Sequence, residues 1–237
     1  MEMSETVWYN GRKLWKMRSC MKRDVDILEI SDGRFYREND MVKADCGGCV
    51  GCSMCCRDMV DTIVLDPLDV WHLTNRLGLS FEEMLDKQLM LDVFDGLILP
   101  RLKESRETGG CPFLDGDGRC SVHADRPGFC RIFPLGRYYE NGDFTYILQV
   151  KECPRPKTKI KVKKWIDIPD MDKNRKFINQ WHGLQKEMQD RLAQCEEVLQ
   201  KNLTLQFLKI FYLTPYTKDD FYAQFESRYR TIRSILQ

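Results

Sequence analysis

The spacing of apolar and polar positions predicts short elements in the first half of the chain. A brief apolar run within residues 25–40 predicts a strand that ends in a turn at Asp32-Gly33. Residues 62–65 predict a second short strand, and the apolar positions of residues 69–79 recur at helical spacing. Ser80, followed three residues later by Glu83, forms a capping-box pattern that predicts a further helix.

The clearest strand signal is a hairpin in the middle of the chain. Asn141-Gly142 separates two apolar runs, residues 137–140 and 144–150, and these two residue types tolerate the positive φ angles of a tight turn. Residues 97–99 and 157–164 predict additional strands, the latter because lysines alternate with aliphatic residues.

The spacing of the apolar residues changes after Asp170. Apolar residues from Phe177 to Leu199 recur every three or four positions and predict one long amphipathic helix, with Cys195 on its apolar face. A second capping-box pattern at Thr217–Asp220 precedes another helical stripe. The pattern divides the chain into a lead-in at 1–24, a domain at 25–168 and a helical extension at 169–237. The extension is predicted to pack on the domain of its own chain and to leave a monomer.

Composition excludes several classes of protein. Lys plus Arg number 37 against 36 Asp plus Glu, so the net charge of +1 gives no general attraction to nucleic acid or to an anionic membrane. The N-terminal residues have no apolar signal-peptide core, and the longest apolar stretch, near Phe207–Leu213, is too short to span a bilayer. These features predict a cytoplasmic protein without a membrane or nucleic-acid partner.

The cysteine content is the unusual feature. Of the 11 cysteines, Cys20 and Cys195 lie apart from the rest. A chain of this length in a reducing compartment does not need a disulfide framework, so clustered cysteines indicate metal ligands. The predicted ligands are Cys46, Cys49, Cys52, Cys55, Cys56, Cys111, Cys120, Cys130 and Cys153.

The spacing within the first group indicates iron–sulfur chemistry. Cys46, Cys49, Cys52 and Cys56 reproduce the C-x2-C-x2-C-x3-C spacing of bacterial ferredoxins, with Arg57 where those proteins have proline. The adjacent thiols of Cys55 and Cys56 would point to opposite sides of an extended segment, which favours one sulfur for each of two centres. The thiols therefore predict iron–sulfur clusters, up to two of the 4Fe-4S type. Structural zinc is the alternative, because thiolates suit both metals.

The cysteine motifs resemble those of the YkgJ-type cysteine-cluster family, a zinc- or iron-chelating domain with a C-x-x-C-x-x-C-C motif. The resemblance covers about residues 45–155 and rests on Cys49-x2-Cys52-x2-Cys55-Cys56, Cys111-Pro-Phe-Leu, Cys120-Ser-Val-His and Arg126-Pro-Gly-Phe-Cys130-Arg-Ile-Phe-Pro. It implies metal binding at Cys49, Cys52, Cys55, Cys56, Cys111, Cys120 and Cys130, and Cys46 is an addition to this minimal motif. Flagellin lysine N-methylases contain the same domain, so the resemblance also implies a possible protein lysine N-methyltransferase acting on a protein substrate.

The remaining polar residues leave the function class open. His123 is expected beside the metal rather than on it, and Arg126, Arg131 and Arg137 are expected to balance thiolate charge. No recognised nucleotide-binding or hydrolase motif is present. The chain is thus predicted to have an α+β fold, with a small cysteine-rich domain, a hairpin-containing sheet, loops around the metal sites and C-terminal helices. We expect it to be an electron-transfer or redox-cofactor protein, a methylase-like enzyme or a zinc-stabilised interaction module.

Overall fold

The computed structural model describes residues 8–9, 12–13, 27–47, 49, 52–107, 109–150, 152–153, 155 and 157–236. In the lead-in, Trp8–Tyr9 (β1) pairs antiparallel with Arg12–Lys13 (β2). Cys20 and the rest of the predicted lead-in lie outside the described residues.

The central sheet has three antiparallel strands in the order β3-β8-β7: Ser31–Tyr36 (β3), Asp143–Gln149 (β8) and Leu135–Glu140 (β7). The predicted hairpin is confirmed, since β7 and β8 meet at Asn141 and Gly142, which have φ angles of 52° and 77°. The predicted strand and turn before it are wrong. Ile27–Ile30 is a helical turn (α1), and the strand runs through Gly33, whose φ of 72° falls where the register of β3 on β8 is irregular.

Two further antiparallel pairs form in the same part of the described chain. One joins β4 to β9 and the other joins β5 to β6: Met41–Asp45 (β4), Leu89–Phe94 (β5), Leu97–Leu102 (β6) and Thr158–Lys161 (β9). The strand predicted at 97–99 is present as β6, which is longer than predicted. Its partner β5 was not predicted, because Leu89 matched the apolar spacing of the preceding helix. The strand predicted at 157–164 ends at Lys161, where Val162–Ile166 (α6) begins.

Short helices connect the strands of the cysteine-rich region: Met54–Asp58 (α2), Pro67–Leu77 (α3), Phe81–Lys87 (α4) and Gly128–Ile132 (α5). The capping box predicted at Ser80 is confirmed, with its side chain accepting from the Glu83 N–H at 3.1 Å. The segment at 62–65 is not a full strand. It is a 3-10 turn, Val60–Thr62, followed by a single bridge from Val64 to Arg101.

The C-terminal region contains three α-helices: Met171–Leu192 (α7), Glu197–Leu208 (α8) and Phe221–Ile235 (α9). The single long helix predicted from the stripe is therefore wrong, because the helix stops at Leu192. Cys195 lies in the break and is partly exposed, so the prediction that it is a core residue on the helix face is also wrong.

These helices pack on the rest of the chain, as predicted. Trp181 of α7 contacts the rings of Phe207 and Phe211, with centroids 5.2 and 5.1 Å away. The Tyr212 hydroxyl donates to the Leu65 carbonyl at 2.9 Å, which fixes the helices to the segment just before α3. One core of buried residues includes side chains from both regions. The fold class α+β is confirmed, and none of the described helices is long and apolar enough to cross a membrane.

Candidate metal centre

The predicted ligands line one cavity of about 640 Å³. The cavity wall contains all nine: Cys46, Cys49, Cys52, Cys55, Cys56, Cys111, Cys120, Cys130 and Cys153. Cys195 is absent from it. None of the ten cysteines in the described part of the chain is in a disulfide. The fold thus brings together thiols that lie more than one hundred positions apart in sequence.

The first group of thiols occupies a turn and a short helix. The Sγ atoms of Cys46 and Cys49 are 3.6 Å apart, and Cys49 has a left-handed φ of 62°, a conformation that non-glycine residues rarely adopt. Cys55 and Cys56 both lie on α2. Adjacent side chains on a helix are about 100° apart, so these two thiols do not point to opposite sides as an extended segment would require.

The second group docks directly on the first through the backbone. The Cys111 N–H donates to the Cys56 carbonyl at 2.7 Å. The preceding residue is Gly110, and a β-carbon there would lie 2.8 Å from that carbonyl oxygen. Because both atoms of this clash would be fixed to backbone, the close approach requires glycine at position 110.

Cys130 is positioned by a buried carboxyl group. Asp69, at the first turn of α3, accepts the Gly128 N–H at 2.7 Å at the start of α5, which contains Cys130. Asp69 also accepts the Asp66 N–H at 3.1 Å, while Asp66 accepts the Asp69 N–H at 2.9 Å. The indole N–H of Trp165 donates to the Ile132 carbonyl at 3.2 Å at the end of α5. Both ends of this short helix are therefore held by side chains from other helices.

Electrostatic effects connect the thiols of the two groups. Burial raises the pKa of Cys111 to about 11, and Cys120 and Cys55 contribute to the rise. Burial also raises the pKa of Cys130 well above its usual value, with Cys111, Cys55 and Cys120 among the causes. Burial raises the pKa of Cys120 as well, with Cys55 among the causes, while the hydrogen bond with the Cys56 side chain is the largest cause that raises the pKa of Cys55 itself. For Cys49, burial, its neighbour Cys46 and Cys55 raise the pKa to about 12.

Backbone amides stabilise two of the sulfurs as anions. The Phe113 N–H donates to the Cys111 sulfur and lowers its pKa, against the effect of burial. The Val122 N–H does the same for Cys120. Hydrogen bonds of this kind favour the thiolate, which is the form that binds metal.

The three arginines predicted to surround Cys130 have different partners. Arg126 lowers the pKa of Cys49 and Cys120, as a group that balances thiolate charge should, although burial is the larger effect on both. Arg131 is buried and donates to the carbonyls of residues 124 and 167, so its role is structural. Arg137 lies near Asp66 and Asp69. His123 lines the cavity with its Nδ1 atom 3.3 Å from Arg126 Nη1.

The donor set fits a thiolate-bound metal group in type and number. Soft thiolates are the ligands that zinc and iron–sulfur clusters share. In the described part of the chain, however, no three Cys, His, Asp or Glu side chains already surround a point where one ion would fit. The thiols instead surround a space.

Sequence reasoning missed the polar groups away from the thiols. Asp66, Asp69 and His182 were not among the predicted site residues. His182, Gln185 and Gln189 line the same cavity from α7. Their positions flank the apolar stripe of that helix, and this pattern of uncharged polar residues beside the stripe could have identified them.

Comparison with known proteins supports the metal assignment. Residues 48–154 match the CxxCxxCC family model, described as "Putative zinc- or iron-chelating domain". The resemblance drawn from the cysteine motifs is therefore confirmed for this region, which is similar to that domain and supports metal binding. Cys46 lies outside the match.

A curated relative matches over part of its length. The uncharacterized protein MJ0661 of Methanocaldococcus jannaschii is 30% identical over 99 residues, which are 41% of this chain and 49% of that protein. The match thus spans about half the length of this relative. No solved structure matches the chain.

Proposed function

We propose that this protein binds iron–sulfur clusters at the cysteine cavity and acts in electron transfer. An iron–sulfur cluster, when bound, takes up and releases an electron. The observation that carries the proposal is the enclosure of one space by nine thiols, more than the four that a single zinc ion requires. The ferredoxin-like spacing of Cys46, Cys49, Cys52 and Cys56 adds to it.

We assign Cys55, Cys111, Cys120 and Cys130 to one four-thiolate group. In its support, besides burial, Cys111, Cys55 and Cys120 all raise the pKa of Cys130, and Phe113 and Val122 supply amide donors to two of the sulfurs. Cys56, however, has the largest effect on the pKa of Cys55. A second group of four would come from Cys46, Cys49, Cys52, Cys56 and Cys153, which leaves one thiol in reserve. Under this partition the adjacent residues Cys55 and Cys56 serve different centres.

The protein environment would support such a centre in two ways. Arg126 offsets negative charge near Cys49 and Cys120, which lowers the cost of holding several thiolates together. Hydrogen bonds to the sulfurs of Cys111 and Cys120 are among the features that set the reduction potential of a cluster.

Structural zinc is a second candidate, and one distance favours it. The Sγ atoms of Cys46 and Cys49 are 3.6 Å apart. Two thiolates on a tetrahedral zinc ion, with bonds of about 2.3 Å, are separated by about 3.8 Å. A zinc ion at this pair would stabilise the fold and give it no redox role.

Metal and sulfide analysis of anaerobically purified protein tests the proposal. We expect iron with acid-labile sulfide, and a broad visible absorbance that bleaches on reduction. The Cys130→Ser variant should lose iron and absorbance, whereas the control Cys195→Ser should retain both, because Cys195 lies outside the cavity. A colourless protein with stoichiometric zinc and no sulfide would overturn the iron–sulfur proposal in favour of zinc.

A further inference from the structure

The two strands β4 and β9 form a ribbon with one buried face and one exposed face. Val42 pairs with Ile160 on the inward face, where Val42 is 1% exposed and Ile160 packs on the core. Met41 pairs with Lys161, the next position along each strand, and therefore lies on the opposite face. We refer to the exposed side chains of this outward face as the basic ribbon face: Met41, Lys43, Lys159 and Lys161.

The lysines of the basic ribbon face are not neutralised by the fold. In the part of the chain that the structure describes, no carboxylate forms an ion pair with any of the three. The acids at the two ends of β4 accept backbone N–H groups instead, Asp40 from Arg37 at 2.7 Å and Asp45 from Gly47 at 2.9 Å. The positive charge continues into the start of α6 with two more exposed lysines, Lys163 and Lys164.

The basic ribbon face adjoins the thiol cavity. Cys46 follows β4 directly, and Cys153 lies in the segment that leads into β9. Both cysteines line the cavity and both are partly exposed. At this end of the ribbon the Thr158 hydroxyl donates to the Asp45 carboxylate at 3.5 Å, which joins the two strands beside the thiols. A protein seated on the ribbon would therefore lie next to the side of the cavity where thiols reach the surface.

We propose that the basic ribbon face docks an acidic electron-carrier protein, an inference that rests on electron transfer as the function of the thiol cavity. Carboxylates of the partner complement the unpaired lysines, and Met41 supplies an apolar contact among them. Complexes between redox proteins are typically small and weak. Complementary charge suits them because it speeds the encounter and sets its direction more than it adds affinity.

Nucleic acid is the other polyanion that lysines attract, and the composition of the face disfavours it. Proteins that bind single strands combine positive charge with aromatic side chains on which bases stack. The basic ribbon face has lysines and one methionine but no aromatic side chain. The net charge of the whole chain is only +1, so the attraction is local to this face.

Association with an acidic plant-type ferredoxin tests the proposal. Surface plasmon resonance measures the association rate of oxidised ferredoxin with the metal-loaded full-length protein. We expect saturable binding whose association slows steeply as the ionic strength rises from about 0.01 M to about 1 M, because the Debye length falls from about 30 Å to about 3 Å. At the lower ionic strength the double variant Lys159→Glu/Lys161→Glu should associate about tenfold more slowly than the wild type.

A second double variant, Lys87→Glu/Lys218→Glu, is the matched control. It changes the net charge by the same amount at two exposed positions, the end of α4 and the segment before α9. This control should associate at the wild-type rate. Reduced ferredoxin should also bleach the visible absorbance of the wild type and of the control faster than that of Lys159→Glu/Lys161→Glu.

The association measurement involves no electron transfer, so its failure is distinct from a failure of the cluster assignment, which metal and sulfide analysis tests. Metal content is determined on every variant, so that slower association is not confused with loss of metal. The docking proposal is overturned if the ferredoxin does not bind saturably, or if the two double variants associate at the same rate. It is also overturned if a short DNA duplex binds more tightly than the ferredoxin at physiological ionic strength.

Discussion

Replacing Asp69 with alanine should both destabilise the fold and displace Cys130. The Asp69 carboxyl group accepts the N–H groups of Asp66 at 3.1 Å and of Gly128 at 2.7 Å. The first bond closes the capping box of α3, and the second joins α3 to the helix that contains Cys130. Asp69 is 5% exposed, so water cannot replace either bond.

The expected loss follows from these two bonds. Each buried N–H left without an acceptor costs about 1–3 kcal/mol, and Arg137 also loses a nearby carboxyl group. We expect Asp69→Ala to lower the free energy of unfolding by about 3–5 kcal/mol, a large part of the total for a typical domain. Asp69→Asn retains one carbonyl acceptor for Gly128 but presents its amide to the Asp66 N–H, so its loss should be about 1–3 kcal/mol.

Urea unfolding followed by tryptophan fluorescence measures these values, with metal per chain determined on the same samples. Metal content should fall in the same order as stability. Asp190→Ala is the control, because Asp190 is exposed on α7, and it should change stability by less than about 0.5 kcal/mol. The reasoning is refuted if Asp69→Ala stays within about 1 kcal/mol of the wild type, or if it retains full metal content despite unfolding more easily.

The other predictions concern the spare thiol, an acid transition and the extension. Cys46→Ser should retain more metal than Cys52→Ser, because Cys46 lies outside the family motif; equal losses by metal analysis would indicate that Cys46 is a required ligand. The pKa of His182 is lowered to about 4, so the unfolded imidazole takes up a proton at a higher pH than the folded one, and stability should fall as the pH drops from about 6.5 to 4. After allowance for partial exposure, the expected loss of unfolding free energy is about 1–2 kcal/mol. The His182→Phe variant retains a flat ring against Tyr139 and should lose less stability over this pH range in urea unfolding. If its pH dependence equals that of the wild type, His182 is not the titrating group. Deleting residues 171–237 should leave a domain that aggregates, because the deletion uncovers apolar core surface; a truncated protein that is monomeric and metal-loaded by light scattering and metal analysis would show that the extension is a separate element.

Elements with strong local signals were predictable. The Asn141-Gly142 hairpin and the capping box at Ser80 depend on contacts within a few residues, so the sequence contains all the information they need. The predictions failed where contacts between residues far apart in sequence determine the local structure. Gly33 had the composition of a turn but lies within β3, because pairing with β8 absorbs its positive φ angle as an irregularity in the strand.

The sequence by itself determined the chemistry of the candidate site. The spacing of the cysteines identified a thiolate-rich metal-binding region, because ligands that share a metal are often close together in sequence. Only the tertiary structure decided that Cys153 lines the same cavity as the other thiols and that α7 closes one side of it. These relations depend on how helices and strands pack across more than one hundred positions. That packing is set by the shared core, and no local pattern specifies it.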